Sequence, residues 1–285
     1  MHKLLHVLEH TVIDTIKILP FLLIAYLIME YIEHKTTDKT RDAIKKSGKF
    51  GPFIGGLLGA FPQCGFSVTA TNLYAGRVIT LGTLFAVYLS TSDEMLPILL
   101  SEGVAGPLIL KILGIKILIG ILAGVIIDLI ANRFYKNKKE ENKIESICEH
   151  EHCHCEESIV KSAIKHTVNV CIFILLISLV LNIAIEYIGE DTLTGLISGR
   201  PVITATIACA IGLIPNCASS VILTQLYLSN VLSLAVMIGG LLVNAGVGLL
   251  VLFKVNHNQK ENIKIVLGLY AIGIISAILL QLVLV

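Results

Sequence analysis

FPQCGFSVTATNLY spans Phe61–Tyr74, IPNCASSVILTQLY spans Ile214–Tyr227, and the two stretches are versions of one another. At a constant offset of 153, Pro62, Cys64, Ser67, Thr71 and Tyr74 recur as Pro215, Cys217, Ser220, Thr224 and Tyr227. Both copies sit inside uncharged apolar runs, Phe50–Gly76 and Pro201–Phe253. At membrane depth, Pro, Gly and polar residues are tolerated only where the freed backbone faces protein or a watery cavity. Two such breaks at matching places in two halves point to the binding site of a transporter.

The surrounding composition sets the solvent. The chain is 55% apolar with a formal net charge of +1, which fits a bilayer and leaves no basic surface for nucleic acid. Ile265–Val285 is about as long as a hydrocarbon core requires. No cleavable leader is expected, because His2, Lys3 and Glu9 precede an apolar run too long for one. The expected class is an all-α integral membrane protein with metal ions and lipid as partners, in which self-association into a homo-oligomer is left open.

The duplication reaches beyond the motif. The run HTVIDTIKILPFLLIAYLIMEYI from His10 matches HTVNVCIFILLISLVLNIAIEYI from His166, and looser matching pairs Leu113-Gly114 with Leu267-Gly268. His10 and His166 read as interfacial anchors. Three units follow: a first membrane repeat (1–132), a linker (133–160) and a second membrane repeat (161–285). Spans are expected over 11–33, 50–76, 78–101 and 104–131, and again over 166–188, 201–228, 231–253 and 265–285.

Lys and Arg bias orients these spans. Lys35, Lys39, Arg41, Lys45, Lys46 and Lys49 put loop 34–49 inside. Arg133, Lys136, Lys138, Lys139, Lys143, Lys161 and Lys165 put the linker inside, and Lys254, Lys260 and Lys264 do the same for their loop. The loop at Glu102, and Gly189–Gly199 with Glu190 and Asp191, fall outside. An inside-to-outside passage from 50 to 101 then needs an odd number of crossings. Segment 78–101 supplies one, so 50–76 enters and leaves on one side as a re-entrant hairpin whose arms are too short to cross. The same logic makes 201–228 a hairpin from the other side, and the two repeats are inverted.

Asp93 and Glu94 fall near the middle of 78–101, where a carboxylate costs about 2.5–3.5 kcal/mol on insertion scales. The bland alternative ends the helix at Ser90 and leaves both acids in an outer loop. Against it, the matching stretch LLVNAGVG is apolar, with Asn244 aligned to Thr91, and Pro97 signals a broken helix. The candidate ion-translocation residues are Asp93, Glu94, Cys64, Cys217, Gln63, Asn216, Pro62, Pro215, Ser92 and Asn244. Thiolate favours soft ions, whereas carboxylate and carbonyl favour Mn or Mg. A second group, Cys148, His150, His152, Cys153, His154 and Cys155, suits Zn, Cu, Ni or Co in a reduced cytoplasmic linker. Cys171 and Cys209 read as packing residues. No cofactor is called for beyond the transported ion.

Other classes fail on the residues. TDKTR at Thr37–Arg41 resembles a P-type pump loop, yet there is no ATP-binding domain and no Gly-x-x-x-x-Gly-Lys loop. A membrane enzyme using Cys64 or Cys217 as nucleophile lacks a His or acid at short spacing to activate it. Taken together, the FPQCG and IPNCA repeats, the TSDEMLP run and the Cys/His linker resemble the ten-helix heavy-metal exporter family, also labelled arsenic efflux proteins or manganese transporters. The resemblance covers nearly the whole chain, and counting each hairpin as two helices turns eight segments into ten. It implies that Pro62, Gln63, Cys64, Asp93 and Glu94, with Pro215, Asn216 and Cys217, carry the shared motifs. The second half lacks an acidic pair, so the ion site is expected to be asymmetric.

The expectation is therefore a multi-pass cell-membrane protein, a non-enzyme, exporting a heavy-metal cation or arsenic species by proton or membrane potential. The rivals are a manganese-selective transporter, a Cys-dependent membrane enzyme and a substrate-binding component of a larger complex. Topology is directly checkable. Single cysteines introduced at Ser101 and Gly195 should react with a membrane-impermeant reagent on intact cells, and one at Asn142 should not; opposite accessibilities overturn the inversion.

Overall fold

The computed structural model describes residues 48–61, 64–92, 95–134 and 201–284, with scattered positions of 11–27 and 160–183. Among the described residues the chain is helix and turn, with no strand. A 3-10 turn at Gly48–Phe50 leads into α1 (Gly51–Gly59). There follow α2 (Cys64–Ala75), α3 (Leu81–Ser90), α4 (Met95–Ser101) and α5 (Gly106–Phe134). The second half repeats the order with α6 (Pro201–Gly212), α7 (Cys217–Leu228), α8 (Leu234–Val243), α9 (Gly248–Val255) and α10 (Gln259–Leu284).

The sequence starts these helices by familiar means. Pro52 sits in the first turn of α1, where its missing N–H has no partner to lose. Thr80 caps α3, its Oγ accepting from Thr83 N at 3.1 Å, and Ser233 at the same offset of 153 caps α8. The carboxylate of Asp128, on α5, reinforces the α3 end. Thr80 Oγ donates to Asp128 Oδ2 at 2.7 Å and Gly82 N to Oδ1 at 2.8 Å, a negative charge where the helix dipole is positive.

Among the described residues, three stretches are long and apolar enough to cross a membrane: Gly106–Arg133, Leu234–Val255 and Gln259–Val283, with mean hydropathies of 2.5, 2.3 and 2.4. The middle one is α8 and α9 together, almost wholly enclosed by the rest of the protein, whereas the outer two are largely exposed. Most of what they expose is apolar, for example Leu110, Leu122 and Leu129 on α5 and Leu267, Leu279 and Leu282 on α10, with Lys111, Lys260 and Lys264 nearer the helix starts. What lies buried includes Ser67, Thr71, Asn72, Ser92, Lys116, Asn216 and Asn244. An apolar exterior around a partly polar interior is the arrangement expected of a protein whose outer solvent is lipid.

Small residues set the helix distances, since lipid-embedded helices associate through close packing. A Cβ at Gly59 would lie 2.2 Å from Ser90 Oγ, and one at Gly51 would lie 2.2 Å from Thr83 Oγ. Thus α1 runs parallel to α3. Gly82 sits against Gly124 and Gly120 against Ala86, so α5 runs antiparallel to both. The second half repeats these contacts at the same offset. Gly212 packs on Gly240, while Gly239 packs on Ala277 and Gly273, so α6 parallels α8 and α10 opposes it. Arg77 and Asn230, also 153 apart, share the left-handed backbone region at φ 59° and 60°. The looser match of Gly114 with Gly268 does not carry over: Gly268 packs on Phe85 and Gly114 has no close neighbour. Across the halves, α4 packs on α7 and α9 packs on α2.

Two expected spans turn out to be interrupted. Segment 78–101 is α3 and α4, and the break precedes Pro97, which falls in the first turn of α4. Segment 231–253 is α8 and α9, and its break went unread in the sequence. Asn244 Oδ1 accepts from Gly246 N at 3.0 Å, and Gly246 takes φ 53°, a turn that Asn-Ala-Gly favours. Cys209 is buried in the core and Cys171 packs against a smaller apolar cluster, as expected.

The close contacts generate a stability test. Gly82→Ala and Gly212→Ala each drive a methyl to about 2.1 Å from a backbone oxygen. Each should cost about 1–3 kcal/mol, read as a lower temperature at which the detergent-purified protein loses monodispersity. Gly114→Ala, with nothing within 4 Å, should leave that temperature unchanged. Equal behaviour of all three contradicts the packing.

Candidate functional site

Four helix interruptions punctuate the described residues: after Gly59, after Ser90, after Gly212 and after Val243. Each leaves the last carbonyls of one helix and the first N–H groups of the next without intrahelical partners. Side chains from neighbouring breaks supply some of them. Ser92 Oγ donates to Ala60 O at 2.6 Å, joining the α3–α4 break to the α1–α2 break. Ser219 Oγ donates to Asn216 O at 2.7 Å and lies 3.1 Å from Ile214 O, closing the α6–α7 break on itself.

Hydroxyls also join the halves. Thr71 Oγ and Tyr88 OH lie 2.5 Å apart, and each reaches Gly248 O, in the first turn of α9, at 3.2 Å. Asn72, one residue along, is buried and donates to Val68 O at 2.9 Å, while its Oδ1 has no donor among the described residues. Buried side-chain oxygens are rarely left so.

The group that sequence reading missed is Lys116. It is fully buried, ten residues into α5. Its ammonium donates to Thr91 O, and to Leu241 O at 3.1 Å. Thr91 is the C-cap of α3 and Leu241 lies in the last turn of α8, so one carbonyl comes from each half. Both belong to helix C-terminal ends, where the dipole is negative. The signal was present as a Lys inside the apolar run LILKILGIKILIGIL. The corresponding residue of the second half is Leu269, equally buried.

A second polar tie lies at the other end of α2. Arg77 forms a two-pronged pair with Glu261 of α10, Nη1 to Oε1 at 2.9 Å and Nη2 to Oε2 at 3.0 Å. Tyr74 OH donates to the same carboxylate, and the guanidinium lies 5.1 Å from the Tyr74 ring centre. This geometry favours Arg strongly over Lys. Its counterpart in the repeat is Asn230.

Several sequence candidates can now be located. Ser92, Asn216 and Asn244 are buried at three different breaks, and Pro215 is half-buried beside Asn216. Cys64 and Cys217 are the first residues of α2 and α7, so each Pro-x-Cys motif immediately precedes or opens a helix. Pro62, Gln63, Asp93, Glu94, His10, His166 and the whole Cys148–Cys155 tract lie outside the described residues. Ser92 and Met95 are fully buried. The helix that ends at Ser90 is followed by α4, and an exposed turn comes at Glu102 and Gly103. Among the described residues, no three His, Cys, Asp or Glu side chains gather. The described lining is made of carbonyls, hydroxyls, amides and one ammonium.

Neither the curated proteins nor the solved structures contain a significant match to the chain. A family model described as 10TM heavy-metal exporter matches residues 5–190. That range takes in the first repeat, the linker and the opening segment of the second repeat, well over half of the chain. On that match the protein belongs to the 10TM heavy-metal exporter family.

Proposed function

We propose that the protein is a secondary transporter that exports a heavy-metal cation, or an arsenic species, across the cell membrane, driven by protons or the membrane potential. The observation that carries this reading is the set of buried helix interruptions in a protein whose exterior is apolar. Freed carbonyls, hydroxyls and amides at that depth replace water around an ion at little cost, and they have no structural purpose in a continuous helix.

On this reading α1–α2 and α6–α7 are re-entrant hairpins and the two halves are inverted. The support comes from direction. Gly51 lies near the start of α3 and Gly59 near its end, while α2 leads back in five residues to that start. Thr91 and Leu241 share Lys116 near the ends of α3 and α8. Past its own end, α9 runs back along α3, with Gly248 at Tyr88, and the chain reaches Glu261 beside Arg77, before α3 begins. The central helices thus oppose one another. At 9 and 12 residues, α1 and α2 are each about 14–18 Å long, short of a 30 Å core.

Asp93 and Glu94 are assigned the charge of the site, Ser92, Asn216 and Asn244 its neutral oxygens, and Cys64 and Cys217 its soft ligands. Pro62, Pro215 and Gln63 shape the tips. The Cys148–Cys155 tract is assigned to metal delivery or sensing on the cytoplasmic face. A manganese-selective transporter is the second reading, favoured by the oxygen-rich lining among the described residues.

The test is flux of Mn, Zn, Cd, Cu, Co and arsenite in vesicles carrying the purified protein. Asp93→Asn and Glu94→Gln should each abolish flux, or uncouple it from protons, without lowering protein abundance. Cys64→Ser should greatly weaken transport of a soft ion and leave Mn transport intact. Full activity of both amide variants removes the acids from the site, and a fully active serine variant with dead amide variants selects manganese.

A further inference from the structure

We propose that Arg77, Glu261 and Tyr74 form a latch at the cytoplasmic mouth of the protein, closed in this structure, which must part each time a cation is loaded from inside. This rests on the transporter reading above and on the orientation drawn from the Lys and Arg bias.

The latch joins the two halves at one end of the seam between them. Arg77 lies in the turn between α2 and α3 of the first half, and Glu261 in the first turn of α10 of the second. Lys254, Lys260 and Lys264 flank Glu261, so the bias puts this end inside. Along the seam α2 packs on α9, with Val68 and Ala75 of one in the same apolar cluster as Val251 and Val255 of the other. Beyond that cluster the two-pronged pair, with Tyr74 OH on the same carboxylate, supplies a directed tie. Exposed ion pairs are usually worth little, and a planar fork on a carboxylate is the exception.

The arginine is placed there against its backbone. Both halves end this helix in the same way: Val78 N donates to Leu73 O at 2.8 Å, and Val231 N donates to Leu226 O at 2.9 Å. The closure needs a left-handed residue one position earlier, usually Gly or Asn. The second half uses Asn230, and the first uses Arg77 at φ 59°. Strain of this kind persists where neighbouring groups hold it, and here the Glu261 carboxylate does so. That carboxylate follows a fixed turn. Asn256 Nδ2 donates to Asn262 Oδ1 at 2.7 Å and Asn262 Nδ2 to Asn256 O at 2.8 Å, both residues being buried.

Hydration makes the pair a latch. Parting a fully buried pair strands a charge. The Arg77 and Glu261 side chains are 16% and 21% exposed, so water follows as they separate and the cost of opening stays moderate. The opposite end has no equivalent: Asn230 and Leu108 stand at the places matching Arg77 and Glu261, and neither is charged. The tie therefore favours the state closed on the inner side, and releasing it raises the share of protein open for loading.

The test uses the full chain in right-side-out and inside-out membrane vesicles. Val255→Cys at the end of α9, and Leu232→Cys near Asn230, are each labelled with an impermeant methanethiosulfonate. Labelling is read by peptide mass spectrometry, so the native cysteines stay. Arg77→Gln or Glu261→Gln should speed labelling at position 255 from the inner side about tenfold and leave position 232 unchanged from the outer side. Arg77→Lys keeps the charge, loses the fork and should give an intermediate rate. In the same vesicles, half-saturation for cytoplasmic loading of whichever of Mn, Zn, Cd or Co the wild type moves should fall about tenfold, because more of the protein is competent to load. A brace of the fold predicts no change at either position, or faster labelling at both as the protein loosens; either result overturns the latch. So does labelling at 255 that speeds only from the outer side, or a half-saturation that stays or rises. Failure of all three variants to fold overturns it too, since a contact broken in every cycle cannot be what holds the fold. If the wild type moves none of these cations, the transporter reading fails on flux, while the labelling rates still decide whether this end opens.

Discussion

A backbone carbonyl in a dry interior must find a donor, and this protein interrupts its helices where donors are scarce. The α6–α7 break is closed by its own Ser219, and the other breaks draw in side chains from elsewhere. Ser92 answers Ala60, Tyr88 and Thr71 answer Gly248, and Lys116 answers Thr91 and Leu241. Three of these partnerships cross from one half to the other. The interruptions thus weaken individual helices while helping to bind the halves together, because some of the groups that complete one half's backbone belong to the other.

Packing follows the same logic. Helices that must present hydroxyls to a neighbour's backbone have to lie close to it. Glycines at Gly51, Gly59, Gly82 and Gly212 permit that approach. The exchange of α4 and α9 between halves is a consequence: once a central helix is cut, its second piece packs on the partner's α7 or α2.

Much of this was legible. The offset of 153 is written in the two Pro-x-Cys stretches, and it holds for Gly59 and Gly212, Thr80 and Ser233, and Arg77 and Asn230. The cuts after Gly59 and Gly212 were legible because proline marks them. The cut after Val243 was not, because Asn244-Ala-Gly looks like ordinary apolar sequence until its turn chemistry is considered. Lys116 went unread because lysines were weighed as loop markers. The pair of Arg77 with Glu261 was unreadable in principle, since nothing local to either residue names a partner 184 positions away. Gln63, Asp93 and Glu94 remain readings of sequence.

The two halves share a backbone plan but not their charges. Lys116 faces Leu269, and Arg77 faces Asn230, at equivalent places. Two identical subunits assembled about a twofold axis could not manage this, for any side chain present in one would be present in both. A second ammonium would then occupy the same junction, and a second arginine would need a second glutamate. Joining the halves in one chain lifts that restriction. The join between the halves thereby has the quieter effect of letting a duplicated scaffold hold a single copy of each charge.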